Sequence, residues 1–144
     1  MRLWHYEILE YLPRKHLLSQ LRECTAIAVA IDSGKPINHV IINRIYDYGI
    51  DEFRIYCELV RKEFIRRGWT ISDKTLKKLH LDNFDIEIDE NTKIFENWHN
   101  KRYLTQCFYN LQEKYDCGMI NEDEWEILYK NLSCYISYER VSAF

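Results

Sequence analysis

Residues 13–34 decide the fold, and they read Pro-Arg-Lys-His-Leu-Leu-Ser-Gln-Leu-Arg-Glu-Cys-Thr-Ala-Ile-Ala-Val-Ala-Ile-Asp-Ser-Gly. Apolar side chains recur within them at intervals of three and four residues: Leu17, Leu21, Cys24, Ala28 and Ile31. This spacing places those side chains on one face of an amphipathic helix. Pro13 suits the first helical position, and Ser33 with Gly34 ends the pattern. The stretch therefore predicts a long helix near the start of the chain.

A second stripe on this helix is polar and consists of His16, Gln20 and Glu23. It lies about 100° round from the apolar stripe, at the margin between core and solvent, whereas Arg22 lies further out. The pKa of a half-buried carboxylate at such a margin can be shifted by its surroundings, and a substrate can still reach the group. Because the helix begins near residue 13, Glu23 beside the chain-terminal amine is a candidate Schiff-base catalyst.

Three further helices are predicted along the chain. The second spans about residues 51–67, with a regular apolar ridge and with Gly68 as a left-handed stop. The third spans about residues 97–115. A short fourth helix follows a capping box formed by Asn121 and Glu124.

Two segments are more ambiguous. Residues 36–48 contain several β-branched side chains and fit either a short helix or a strand, of which we favour the helix. Residues 134–138 alternate like a strand, but no partner strand is evident, so we interpret them as an irregular aromatic tail. Together the patterns predict an all-α fold: one compact domain over residues 1–144, with three main helices, a short C-terminal helix and irregular loops.

The composition excludes several classes of protein. The 144 residues are 47% hydrophobic and 15% aromatic, which suffices for one well-packed core. No apolar stretch approaches the roughly 18 to 20 residues of a membrane span, so we expect a cytoplasmic protein. The five cysteines form no Cys-x-x-Cys pair, which argues against disulfides and zinc and favours buried reduced thiols. The histidines lack ligand spacing with acids or cysteines, so no metal site is predicted.

The formal net charge is −3, but it is unevenly distributed. Residues 1–80 carry 14 Lys or Arg against 10 Asp or Glu, whereas residues 81–144 carry 6 against 13. A basic cluster at and beyond the end of the second helix can neutralise several phosphates or be an ordinary solvated helix end. It consists of Arg61, Lys62, Arg66, Arg67, Lys74, Lys77 and Lys78. The acidic run at residues 82–90 lacks a calcium-loop pattern and is interpreted as a solvated connector.

Three blocks of sequence stand in a recognisable order. Residues 1–26 begin Met-Arg-Leu-Trp and contain Tyr-Leu-Pro-Arg-Lys-His-Leu-Leu-Ser-Gln-Leu-Arg-Glu. Residues 57–73 end in Arg-Arg-Gly-Trp-Thr-Ile-Ser-Asp, and residues 99–114 contain His-x(11)-Leu-x-Glu-Lys. Together these blocks resemble the phage-type endonuclease V family and its bacterial relatives, which are pyrimidine-dimer DNA glycosylases with AP lyase activity. That family has a His-Leu…Arg-Glu helix, a Lys-Arg-Gly-aromatic-x-Ile segment and a similar third helix.

The resemblance implies an enzyme that binds duplex DNA containing damaged or abasic nucleotides and attacks the sugar C1′ with its amino-terminal α-amine. Met1 would supply this amine, and Glu23 would assist imine formation and the β-elimination that cuts the strand. The DNA-binding positions that it implies, around the flanking phosphates or lining the site, are Arg2, Arg22, His16 and Lys114. No metal or organic cofactor is implied. We expect a monomer of bacterial or viral origin.

The amine chemistry is reasonable without the family. A free α-amine has a pKa of about 7.7 to 8.0, so it is neutral at pH 7 far more often than a lysine near 10.4. Nearby Arg2 and Arg22 disfavour the ammonium form and lower the pKa of the amine further. An ionised Glu23 favours the ammonium form and raises the pKa of the amine.

Three departures from the family pattern leave an alternative open. The phage enzyme exposes a threonine amine, whereas Met1 must serve here because Arg2 is too bulky for methionine removal. Ala26 replaces an arginine of the family, and the loop before the second helix is shortened to residues 46–51. The acidic fourth helix stands where the phage enzyme has an aromatic, basic tail. The alternative is a non-catalytic or differently specific member of the same fold, binding nucleic acid or a protein through the basic end of the second helix.

Overall fold

The computed structural model describes residues 2–84 and 86–142, without the side chains of residues 137–142. This part of the chain contains helices and turns and no strand, so the predicted all-α class is confirmed. The helices are α1 (Arg14–Asp32), α2 (Ile45–Tyr48), α3 (Ile50–Arg66), α4 (Asp73–Lys78), α5 (Lys101–Asp116) and α6 (Glu122–Ser142). Short 3-10 turns lie at Leu9–Tyr11 and Ile42–Arg44. None of the helices described is both long and apolar enough to cross a membrane.

Helix α1 forms where the sequence predicts it, with Pro13 directly before its first residue. Its buried face includes Leu17, Cys24 and Ala28 from the predicted apolar stripe. Gln20 is also buried and has no exposed surface. The polar stripe therefore does not lie uniformly at the margin, because its middle member points into the core.

Helix α3 matches the predicted second helix, and Gly68 adopts the expected left-handed conformation after it, with φ of 78°. Within residues 36–48, residues 42–48 form the second 3-10 turn and α2, so the preference for helix is confirmed there, whereas residues 36–41 form no helix. Helix α4 lies outside the predicted helices because six residues are too few to show an apolar period. Ser72 caps it by accepting a hydrogen bond from the Thr75 backbone N–H at 3.2 Å.

Helix α5 begins at Lys101 instead of near Asn97. Both Phe95 and Asn97 have positive φ angles, 54° and 68°, which place them in the left-handed region. A right-handed helix cannot run through such residues. The helix therefore starts only after Asn100, whose side chain accepts a hydrogen bond from the Tyr103 N–H at 2.9 Å.

The C-terminal region differs most from expectation. The predicted capping box is present, because the Glu124 N–H donates to Asn121 Oδ1 (2.8 Å) and the Asn121 N–H donates to Glu124 Oε1 (3.1 Å). However, α6 runs for 21 residues, so the predictions of a short fourth helix and of an irregular tail at residues 134–138 were wrong. Buried apolar residues continue at four-residue intervals through the extra turns: Leu128, Leu132 and Ile136. Their burial, mainly against α5, stabilises the longer helix.

The segment before α1 passes through the core, and this arrangement positions the start of the chain. Leu3 and Ile8 have no exposed surface. The Tyr56 hydroxyl of α3 donates a hydrogen bond to the Trp4 carbonyl (2.6 Å), and the Tyr103 hydroxyl of α5 donates one to the Leu3 carbonyl (2.7 Å). Two long helices therefore hold the first residues beside α1.

A pair of buried histidines completes this attachment. His5 and His99 stack with ring centres 5.1 Å apart, and His99 Nδ1 accepts a hydrogen bond from the Tyr6 N–H at 3.2 Å. Burial lowers the pKa of His5 to about 4 and the pKa of His99 to about 2. Both rings are therefore neutral near pH 7, which allows them to pack among aromatic side chains without an unpaired charge.

The prediction of buried thiols is confirmed in part. Cys24, Cys57 and Cys107 are buried and free. Cys117 and Cys134 are free but exposed, so the prediction was wrong for these two. The buried three lie on the inward faces of α1, α3 and α5, whereas Cys117 follows the last turn of α5 and Cys134 lies on the outward side of α6.

Candidate active site

A groove with a volume of about 610 Å³ lies beside α1 and α5, where the start of the chain meets them. The lining side chains that carry charge or exchange protons are Arg2, Lys15, His16, Glu23 and Lys114. Three of these are cations and one is a carboxylate. A groove of this size and charge suits an anionic ligand.

Glu23 faces the first described residue of the chain. Its Oε2 accepts hydrogen bonds from the backbone N–H of Arg2 (3.2 Å) and from Gln20 Nε2 (3.3 Å). The Glu23 side chain is half-buried and lines the groove. The carboxylate is therefore fixed against the start of the chain and remains within reach of a ligand.

Gln20 connects Glu23 to the interior of the protein. The Gln20 amide oxygen accepts a hydrogen bond from the Trp4 N–H (2.8 Å). It also lies 3.0 Å from the Tyr56 hydroxyl, whose single hydrogen it shares with the nearer Trp4 carbonyl. Its Nε2 donates to the Arg2 carbonyl (2.9 Å) as well as to Glu23. Both acceptor positions and both donor hydrogens of this buried amide are therefore used. Gln20 holds the N-terminal segment, α1 and α3 in one arrangement around the carboxylate.

Replacing Gln20 is expected to destabilise the fold. Gln20→Leu keeps a similar side-chain volume but leaves the Trp4 N–H and the Arg2 carbonyl without partners, at about 1 to 3 kcal/mol for each buried group. We expect the free energy of unfolding to fall by about 2 to 4 kcal/mol, measured by urea unfolding with circular dichroism. Ser19→Ala at the adjacent exposed position is the control, with an expected change below about 0.5 kcal/mol. Equal stability of Gln20→Leu and wild type would contradict the role of this amide.

The cations of the groove are free to act on a ligand. The Arg2 guanidinium lies over the rings of Trp4 (5.5 Å) and Tyr103 (5.9 Å), and these contacts hold it at the groove. No carboxylate among the described residues pairs with the side-chain charge of Arg2, Lys15 or Lys114. Their positive charge is therefore available to neutralise a bound anion.

His16 contributes a neutral ring to the groove. Burial and, after it, the positive charge of Lys114 lower the pKa of His16 below its usual value. The ring packs edge-on against Trp4 with centres 6.1 Å apart, and His16 Nδ1 has no hydrogen-bond partner among the described residues. A neutral imidazole can both donate and accept a hydrogen bond, so His16 can bind a polar group of a ligand.

The structure brings most of the predicted positions together. Those that line the groove are Arg2, His16, Glu23 and Lys114. Arg22 is exposed on α1 and does not line it, and Met1 lies outside the described residues. In the part of the chain that the structure describes, no three potential metal ligands come together.

Sequence reasoning missed two features of the site, the burial of Gln20 and the presence of Lys15. The helix geometry contains a signal for the first. Gln20 lies only about 60° from the centre of the apolar stripe, whereas His16 and Glu23 lie about 100° to 120° from it. Nothing in the sequence indicates that Lys15 shares a groove with a lysine near the end of α5.

The basic cluster at the end of α3 is largely engaged in internal contacts. Arg67 donates to the Leu12 carbonyl (2.9 Å) and to Glu63 Oε1 (2.7 Å). Arg66 donates to Glu63 Oε2 (2.9 Å) and to the Glu10 carbonyl (3.2 Å). These bonds tie the end of the first 3-10 turn to α3. The two arginines therefore position the N-terminal segment, which leaves less positive charge for phosphates at this end of α3.

Fold and groove define a class of protein, an all-α chain whose start meets a helix-borne carboxylate in a positively charged groove. A family model described as pyrimidine dimer DNA glycosylase matches residues 1–77, which is more than half of the chain. The chain therefore belongs to the pyrimidine dimer DNA glycosylase family, as the sequence blocks indicated. At the level of this family, the function is that of a glycosylase acting on DNA that contains pyrimidine dimers. Neither the curated proteins nor the solved structures that were compared yield a match.

The matched region contains one side of the groove. It covers α1, α2, α3 and nearly all of α4, and it includes Arg2, His16 and Glu23. Helix α5, with Lys114, and helix α6 lie beyond it. The groove is therefore built from the family region on one side and from the C-terminal half of the chain on the other.

Proposed function

We propose that this protein is a DNA repair glycosylase with AP lyase activity that excises a damaged pyrimidine from duplex DNA. The α-amine of Met1 forms a Schiff base with the sugar C1′, and Glu23 assists imine formation and β-elimination. The observation that carries the proposal is the 3.2 Å hydrogen bond from the Arg2 backbone N–H to Glu23 Oε2.

Covalent geometry limits how far the α-amine can lie from Glu23. The α-amine of a first residue is three bonds from the nitrogen of the second, so the two nitrogens are at most about 3.8 Å apart in any conformation. The Glu23 carboxylate accepts a hydrogen bond from that second nitrogen. The amine therefore lies within about 7 Å of Glu23 Oε2, and conformations of the first residue that bring it closer allow a proton to pass between Glu23 and the amine, or a sugar attached to it.

The reaction proceeds in two stages. The neutral amine attacks C1′, and the C1′–N1 bond breaks as the base leaves with that electron pair and takes up a proton. The C1′–O4′ bond then opens, O4′ takes up a proton from water, and the protonated imine forms. Glu23 accepts a proton from C2′, and the C3′–O3′ bond breaks with the phosphate as leaving group. Water finally hydrolyses the imine and releases the enzyme.

The groove charges support this chemistry in two ways. The Arg2 cation disfavours the ammonium form of the adjacent amine and raises its neutral fraction. Arg2 and Lys114 in the groove, together with Arg22 on the exposed side of α1, also supply positive charge for the phosphates flanking an extruded nucleotide. Extrusion of the nucleotide is required for C1′ chemistry in a duplex. His16 provides a neutral hydrogen-bonding group beside them.

Borohydride trapping tests the proposal. Untagged protein that starts at Met1 with a free amine is incubated with duplex DNA containing one abasic site, and sodium borohydride reduces any imine to a stable amine. We expect a covalent protein–DNA adduct on denaturing gels, in which the DNA is attached to the peptide that contains Met1. Undamaged duplex of the same sequence is the control and should give no adduct.

The same experiment separates the second candidate function. Salt-sensitive retention of the damaged duplex without any adduct would contradict the lyase proposal and favour a non-catalytic DNA-binding member of the fold. Absence of both adduct and retention would favour a protein partner. A trapped adduct excludes a non-catalytic member of the fold.

A further inference from the structure

A second polar cavity lies at the amino-terminal end of α5, outside the groove. It has a volume of about 280 Å³, and we call it the arginine notch. The polar and aromatic residues that line it include Arg44, Asn97, Trp98, Asn100, Arg102 and Gln106. The notch belongs to the part of the chain beyond the family match, except for Arg44.

The notch concentrates positive charge. Arg102 is exposed, and Arg44 is held in place because its guanidinium lies over the Trp98 ring (5.3 Å) and donates to the Asn97 carbonyl (3.4 Å). No carboxylate of the described residues pairs with either arginine. Two unneutralised guanidinium groups at one cavity suit a phosphate, which they bind with directed N–H groups.

Two further features favour an anion there. The indole N–H of Trp98 belongs to a side chain that is 2% exposed, and it has no acceptor among the described residues. Trp98 lines the notch, and an acceptor that reached the indole N–H from there would relieve that unfavourable state. The start of α5, a helix of 16 residues, also lies at the notch and adds partial positive charge.

A row of side chains on α5 connects the notch to the groove. Its members follow one another at intervals of four residues: Arg102, Gln106, Asn110 and Lys114. The first two line the notch and the last two line the groove. All four carry N–H donors and none is acidic, so the row can follow a phosphate backbone. It is about 18 Å long, equivalent to about five base-pair steps of a duplex.

Arg2 lies between the two cavities. Its guanidinium is at the groove and over the ring of Tyr103, and Tyr103 lines the notch. Positive charge therefore continues from Lys114 through Arg2 to Arg102, without a described carboxylate paired to any of these side chains.

We propose that the arginine notch is a second phosphate-binding site, which holds a backbone phosphate of the bound duplex within about five base-pair steps of the damaged nucleotide. This inference rests on the proposed function, since it assigns an additional contact to the DNA held in the groove. The notch adds affinity and fixes the direction of the duplex along α5.

The test compares Arg102→Gln with Lys130→Gln, which removes the same charge from an exposed position that lines neither cavity. Binding to a duplex with an uncleavable abasic analogue is measured at several salt concentrations. Between about 50 and 200 mM salt, wild type should lose about threefold more affinity than Arg102→Gln, because one phosphate contact contributes about 0.9 to the log–log slope. Lys130→Gln should behave as wild type.

A scan of single methylphosphonate substitutions, which remove the charge of one phosphate at a time, locates the contact. We expect one position away from the abasic analogue to weaken wild type and Lys130→Gln but not Arg102→Gln. Identical salt slopes and identical scans for Arg102→Gln and wild type would overturn the inference. If the slopes and scans are identical but wild type forms the borohydride adduct, the notch assignment fails and the lyase proposal stands. If the scan finds the contact but no adduct forms, the notch stands and the lyase proposal fails.

Discussion

Glu23→Gln is expected to cut abasic duplex DNA about 10²- to 10⁴-fold more slowly than wild type, which is the usual contribution of a positioned general acid or base. The amide cannot accept the C2′ proton, so β-elimination loses its base. Glu23 only assists imine formation, so the amine can still attack C1′ without it, and the borohydride adduct should still form, although more slowly. Single-turnover strand cleavage and adduct yield on the same duplex measure the two steps separately.

Glutamine is the informative replacement because it keeps the local structure. Its side-chain oxygen can still accept the hydrogen bonds from the Arg2 N–H and from Gln20 Nε2 that Glu23 accepts. Stability should therefore change little. Glu113→Gln, an exposed carboxylate on α5 that does not line the groove, is the matched control and should cleave at the wild-type rate. Wild-type cleavage by Glu23→Gln would show that another group removes the proton.

The long helices could be predicted because their burial follows a simple period. The apolar residues of α1 and α3 repeat every three or four positions, and these helices form close to the predicted bounds. The start of α5 could not be placed, because the left-handed conformations of Phe95 and Asn97 arise from packing in the loop. The length of α6 was underestimated because Cys134, Ile136 and Tyr138 occupy every second position of residues 134–138. This strand-like alternation masked the four-residue repeat ending at Ile136.

Only the part of the site that lies on a single helix could be predicted from the spacing of residues. Glu23 and His16 share a helix, so their common side follows from the period of α1. The approach of Lys114 to this side depends on how α5 packs, and the family resemblance indicated it where spacing could not. Gln20 shows the limit most clearly, because its four hydrogen bonds link three elements that are distant in sequence.

Many residues of the family region hold the N-terminal segment in place. Arg67 and Glu63 fix its far end, and the tyrosine hydroxyls of α3 and α5 fix its beginning. A chain end in water would sample many conformations and lose reactivity through that entropy. Anchoring residues 3–12 in the core limits this loss for any group attached to Arg2.

Blocking the first nitrogen is expected to have the largest effect of all. Acetylation of the Met1 amine removes the lone pair needed to form an imine, so borohydride trapping and strand cleavage should both fall below detection. One added residue ahead of Met1 should do the same, because it converts that nitrogen to an amide and moves the new amine by about 3.8 Å. Intact mass confirms the modification, and a residue added after Phe144 is the control, which should leave trapping unchanged.

The blocked protein also tests whether the nucleophile is the α-amine of Met1 or the side-chain amine of a lysine. Among the described residues that line the groove, the other primary amines belong to Lys15 and Lys114. We expect neither lysine to replace the α-amine, because the Glu23 carboxylate is hydrogen-bonded to the residue that directly follows that amine. Binding of an uncleavable abasic duplex should persist after blocking, because the groove cations remain. A full-yield adduct from the acetylated protein, mapped to Lys15 or Lys114, would assign the Schiff base to that lysine and leave the chain start with a structural role.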